Sequence, residues 1–103
     1  MSFGSYSLTA EIFDKRGRRI SSGKNFYQKS HPFQAKCAKR AGKEDAIYLH
    51  AEIHAIVKCK NLADAYKIRV ERFDKNGNPM IAKPCPICQI AIQEAGIEIV
   101  EHT

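Results

Sequence analysis

Lys67-Ile68-Arg69-Val70-Glu71-Arg72-Phe73 alternates, placing Ile68 and Val70 on one side of an extended chain and Arg69 and Glu71 on the other. A strand sandwiched between helices reads as continuously apolar, so a strand with one wet side belongs to a sheet that carries helices on one face. Tyr6 to Phe13 repeats the pattern, with Tyr6, Leu8, Ala10 and Ile12 on one side and Ser7, Thr9, Glu11 and Phe13 on the other. Thr9, Glu11, Arg69, Glu71 and Glu98 then line the second face, as cross-strand charge pairs in water or as a polar contact with another subunit.

The segments around these strands read as turns and helices. Asp14-Lys15-Arg16-Gly17 supplies turn chemistry before an extended piece around Arg19 to Ser22, and Asp74-Lys75-Asn76-Gly77-Asn78-Pro79 forms the next turn. Glu11 to Gly17 and Glu71 to Gly77 share Glu, Phe, Asp, Lys and Gly in register. The residues after them diverge, one set leading to a strand and the other to a helix, so both read as strand ends meeting turns and not as a duplicated unit. Pro32 to Lys43, rich in Ala, Lys and Gln with Gly42 near its end, predicts a short helix. From His50 to about Ala65 there is no Pro or Gly, and Leu49, Ile53, Ile56, Val57 and Ala63 recur at helical spacing, which predicts a longer one. Pro84-Cys85-Pro86 opens a further helix through Ile87, Ile90, Ala91 and Ala95, with Gly96 as its stop and Ile97 to Glu101 as a final strand. The expected architecture is α/β: one compact domain over residues 1–103, with a mixed sheet of about four strands and the His50 and Cys85 helices side by side on one face.

The 103 residues suit one domain, and a chain 44% hydrophobic, 27% charged and 9% aromatic fits a globular core better than disorder or a fibrous repeat. No apolar run approaches the roughly 18 residues of a membrane span, and the first residues lack the pattern of a secretion signal, so a soluble cytoplasmic protein without a membrane partner is expected. Seventeen Lys and Arg against eleven Asp and Glu give a net charge of +6, which favours polyanions, phosphorylated small molecules or acidic surfaces. In a reducing compartment Cys37, Cys59, Cys85 and Cys88 point to metal binding or catalysis ahead of disulfides.

Spacing separates the four. Cys85 and Cys88, two residues apart at a helix start, can chelate one ion where exposed N–H groups favour anionic sulfur, and His50 at the start of the neighbouring helix makes a third ligand. Zinc suits this N/S set, and three protein ligands leave the fourth tetrahedral position for water. Glu52, two residues after His50, can reach that position and exchange protons there without binding the metal. Cys37 and Cys59 lack a partner at chelating spacing and read as free thiols.

His50-Ala51-Glu52 with Pro84-Cys85-Pro86-Ile87-Cys88 is the H-x-E and P-C-x-x-C signature of zinc deaminases that act on nucleobases. From Leu8 to Val100 the chain resembles the zinc-dependent cytidine and deoxycytidylate deaminase superfamily, most closely the deoxycytidylate type. The resemblance continues through Ala55-Ile56 after the first motif and through Ile92, Ala95-Gly96-Ile97 and Val100 after the second. It implies one zinc ion per chain on His50, Cys85 and Cys88, Glu52 as the catalytic acid/base, and a homo-oligomer. Gly23-Lys24-Asn25 is similar to the segment whose asparagine contacts substrate in that family, so Asn25 joins Ala51 and His54 as candidate substrate contacts. The chain departs from the family in starting near the first strand, in the loop Phe26 to His31, and in having His54 where asparagine is frequent.

The resemblance implies hydrolytic deamination of cytosine in a nucleoside or nucleotide. Two alternatives stay open. One is cytosine or adenine in single-stranded DNA or RNA, with Lys24, Lys29, Lys36, Lys39 and Arg40 along the backbone and Phe26, Tyr27, His31 and Phe33 stacking on a base. The other is a structural zinc module that binds nucleic acid or a partner, with a fourth ligand from Cys37, Cys59 or His54.

Overall fold

A computed structural model of the protein describes residues 6–25, 31–42 and 50–103; the expectations placed on Phe26, Tyr27, Lys29, Lys43 and Leu49 lie outside them. The elements run β1 (Tyr6–Phe13), β2 (Arg19–Lys24), α1 (Pro32–Arg40), α2 (Ala51–Lys58), a 3-10 turn (Leu62–Asp64), β3 (Lys67–Asp74), β4 (Pro79–Met80), α3 (Pro86–Glu94) and β5 (Ile99–His102).

The sheet is mixed and its centre is the antiparallel pair β1 and β3, in register from Tyr6 against Asp74 to Phe13 against Lys67. β2 lies antiparallel to the outer side of β1. The outer side of β3 is shared: β5 pairs with Lys67 to Val70 in parallel, and β4 pairs with Arg72 and Phe73 antiparallel. Five strands thus fill four positions, because β4 and β5 follow one another along a single edge.

The alternation read in the sequence has its expected consequence. Ala10, Ile12, Ile68 and Val70 are fully buried on one face against Ile53, Ala55, Ile56, Ile87, Ala91 and Ile92 of α2 and α3. Helix α2 lies on β1 and β2 and packs beside α3, and α1 packs on α3. On the other face Thr9 and Arg69 are exposed and Glu11 and Glu71 half-buried, with Arg19 paired to Glu11 at 3.1 Å and Lys67 to Glu101 at 3.4 Å. Surface pairs of this kind contribute at most about 1 kcal/mol each, so this face tolerates water without drawing much stability from its charges.

Several boundaries differ from expectation; the final strand, expected over Ile97 to Glu101, runs Ile99–His102. Helix α1 ends at Arg40, and Gly42 follows at φ 72°. The helix expected to reach Ala65 stops at Lys58, where Cys59 turns extended at ψ 113°. Past that point Lys60, Asn61, Ala63 and Asp64 are exposed, so no buried stripe supports further turns, and only half-buried Leu62 anchors the 3-10 turn before β3. The Asp74 turn, expected to lead to a helix, first leads back along β3 as β4.

That correction explains the two similar segments. Asp14 and Asp74 build the same turn: the side-chain Oδ1 of each accepts from the N–H two and four residues on, at 2.8 to 2.9 Å. The main-chain oxygen of each accepts from Gly17 or Gly77, whose φ of 81° or 84° excludes most other residues. Both segments are hairpin turns: the turns themselves were expected, the second hairpin was not.

Candidate metal centre

His50 and Cys85 are the N-cap residues of α2 and α3, and neither uses its side chain to cap the helix. Both side chains turn into the space between the two helix starts. There His50 Nδ1 lies 3.3 Å from Cys88 Sγ and 3.5 Å from Cys85 Sγ, and the three ligand atoms are mutually within 4.8 Å. Zinc bonds of about 2.0 Å to nitrogen and 2.3 Å to sulfur at tetrahedral angles put N and S about 3.5 Å apart, so the donors fit a single zinc ion. Among the described residues no fourth His, Cys, Asp or Glu joins this cluster.

Proton sharing in the cluster is uneven. The hydrogen bond with Cys88 holds the Cys85 thiol down at about 4, with His50 adding to the same pull. Cys88 is pushed up by that same bond and by burial, and His50 is raised by its bond to Cys85. The site therefore keeps one thiolate ready, while metal uptake displaces protons held by its neighbours.

Glu52 stands beside the cluster, 4% exposed, with Oε1 buried and unpartnered. Burial pushes its carboxyl above the usual carboxylate range, against the pull of His50. An unpaired buried carboxyl oxygen is costly in a fold's interior and is a common mark of a functional site.

The packing of α2 on β2 aims this end of the helix. Gly23 makes it feasible: a Cβ there would stand 2.5 Å from Ala55 N and 2.7 Å from Ala51 O. Ser21 Oγ donates to Ala55 O at 2.7 Å. Ser21 thus meets Ala55, and Gly23 meets the backbone of both Ala55 and Ala51. The Asn25 N–H donates to Leu8 O at 3.4 Å. Ala51 is fully buried against β2. His54 faces β2, with Nδ1 accepting from the Lys24 N–H at 3.1 Å, and borders a groove of about 420 Å³ with Arg19, Lys24 and Lys58.

Four of the remaining candidates have structural partners. Cys37 is buried, its Sγ 3.8 Å from Glu94 Oε2, and its thiol is pushed up by burial and by that carboxylate. His31 is the N-cap of α1, accepting from the Phe33 N–H at 3.0 Å. Lys36 and Arg40 reach the same Glu94 at 3.8 and 2.6 Å. Two residues near the site were not singled out from the sequence: Gly23, quoted there only as a neighbour of Asn25, and Gln34, a fully buried amide on α1 whose Oε1 accepts from the His50 N–H at 3.2 Å. Gln34 leaves one trace, a polar side chain on the same helix face as Cys37 and Ala38.

No family model and no curated protein matches the chain. Among solved structures it is similar to a single-residue mutant of cytidine deaminase from Mycobacterium tuberculosis, with a TM-score of 0.52 and 16% identity over 99% of this chain and 71% of that one. The protein has a cytidine-deaminase-like α/β fold, with a mixed sheet and three helices among the described residues, and carries in it a His-Cys-Cys group able to hold a metal ion such as zinc. Among the described residues no helix is long and apolar enough to cross a membrane.

Proposed function

We propose that the protein is a zinc-dependent deaminase that converts cytosine in a nucleoside or nucleotide of the CMP or dCMP kind to uracil and ammonia, and that it acts as a homo-oligomer. The observation that carries this reading is the buried, unpartnered Oε1 of Glu52 beside a three-ligand cluster to which no fourth described residue adds a ligand. Zinc, when bound there, lowers the pKa of water at its open position toward neutrality.

The protein's own groups do the rest. Glu52 accepts the proton that water gives up, and the burial that raises its pKa favours the protonated form of the carboxyl. It delivers the proton to N3 of the ring as oxygen adds to C4, and carries a second one to the departing amine. The C4–N bond breaks, ammonia leaves, and uracil keeps the oxygen. Asn25 orients the base or sugar from the end of β2. The resemblance of both motifs to the deoxycytidylate type and the net charge of +6 support a phosphorylated substrate.

Mass spectrometry of a mixed pool tests this: cytidine, deoxycytidine, their monophosphates, adenosine, and short single-stranded DNA and RNA, incubated with the zinc-loaded protein. A pyrimidine monomer should exchange amine for oxygen, and Glu52→Ala should lose at least about 100-fold in rate while zinc stays bound. Conversion confined to the oligonucleotides would move the substrate to polynucleotides. Full turnover by Glu52→Ala would remove the glutamate from the mechanism.

A further inference from the structure

We propose that Gln34 is a positioning residue for the metal centre: from α1 it fixes the main chain of His50 so that Nδ1 is presented to the two sulfurs. The inference rests on the zinc reading of the site.

His50 enters α2 in an extended conformation, φ −80° and ψ 154°, and its imidazole makes no capping bond because it is turned toward Cys85 and Cys88. A cap residue whose side chain is engaged elsewhere needs another group to fix the chain at that point. The carbonyl side of His50 is held by the helix itself, since its oxygen accepts from the His54 N–H at 2.9 Å. The amide side is held from outside, by Gln34 Oε1 at 3.2 Å.

One bond on each side of the His50 Cα sets the direction of its Cα–Cβ bond, and that direction decides where Nδ1 can go. Gln34 is fully buried, with no surface from which water could readily take over its role at the N–H. Its helix is in turn joined to α3, the helix that carries Cys88, by the packing of α1 on α3 and by Lys36 and Arg40 on Glu94. Gln34 thereby ties the histidine ligand to the frame that holds the sulfur ligands. Loss of groups that orient a metal ligand without touching the metal typically weakens affinity 10- to 100-fold.

Two substitutions in the full chain separate the hydrogen bond from the packing. Gln34→Met keeps length and volume but removes the acceptor, and Gln34→Glu keeps an oxygen at the same place. Zinc affinity is read by competition with a chelator, and the ligand field by the visible spectrum of the cobalt-substituted protein. Gln34→Met should bind zinc about tenfold more weakly or worse and shift the cobalt spectrum, while Gln34→Glu stays within about threefold of the parent. Unchanged zinc affinity in Gln34→Met overturns the proposal, as do equal losses in both variants, which would assign the effect to something other than the Oε1 acceptor. A parent chain that binds no zinc overturns the metal reading itself, a result independent of either variant. If Gln34→Met does not fold, amide hydrogen exchange in the unaltered chain decides: the His50 N–H should exchange as slowly as the helix core, and fast exchange overturns the proposal.

Discussion

Asp14 closes its turn by accepting from the backbone N–H of Arg18, the guanidinium of Arg18 and the backbone N–H of Arg16, and these donors hold its carboxyl below the ordinary value of 3.8. A group whose folded pKa is depressed stabilises the fold above its unfolded pKa and loses that contribution as pH falls through the folded value. Asp14→Asn, which keeps an acceptor and removes the charge, should therefore lower the urea midpoint at neutral pH. The difference from the parent should close as pH drops below about 4. A gap that persists in strong acid would mean that turn geometry, and not charge, is what Asp14 provides. Asp74 makes the corresponding turn with the same sign of shift and should behave alike.

The close seating of α2 on β2 belongs to the scale of elements, and it depends on the absence of one methyl group. In Gly23→Ala the new Cβ meets the backbone of Ala51 and Ala55, which cannot rotate away as a side chain would. The helix must lift, at a cost of about 1 to 3 kcal/mol read from denaturant unfolding. His50 and Glu52 ride on that helix, so zinc affinity should fall with stability; an unaffected variant would show that α2 does not need this contact. The same contact marks the limit of what sequence reading reached. The grouping of His50, Cys85 and Cys88 was legible because metal chemistry fixes their spacing within two short motifs, each at a helix start. The strand faces were legible from a period of two. Gly23 under Ala51 and Gln34 against His50 join positions 28 and 16 residues apart, and no local pattern records such pairings. The end of α2 at Lys58 was missed for a related reason: intrinsic propensity allows the helix to continue, and only the absence of a surface to pack on stops it.

The candidate metal centre joins helices from either side of β3 in the chain, so zinc bound there should stabilise the whole molecule. Zinc at about 100 times its dissociation constant should add about 2.7 kcal/mol, which for a domain of this size raises Tm by roughly 10 to 20 °C. A chelator should reverse the shift, and a Tm indifferent to both would contradict the site. The shared turn design has a consequence for how the molecule forms. Each Asp turn closes its hairpin through hydrogen bonds spanning four residues or fewer, so both can nucleate early. The β1 and β3 ladder instead joins residues 54 to 68 positions apart, contacts of high order that are slow to find. Folding should accordingly be limited by the docking of two preformed hairpins, and the histidine and the cysteines, which flank β3 in the chain, would converge only after that step.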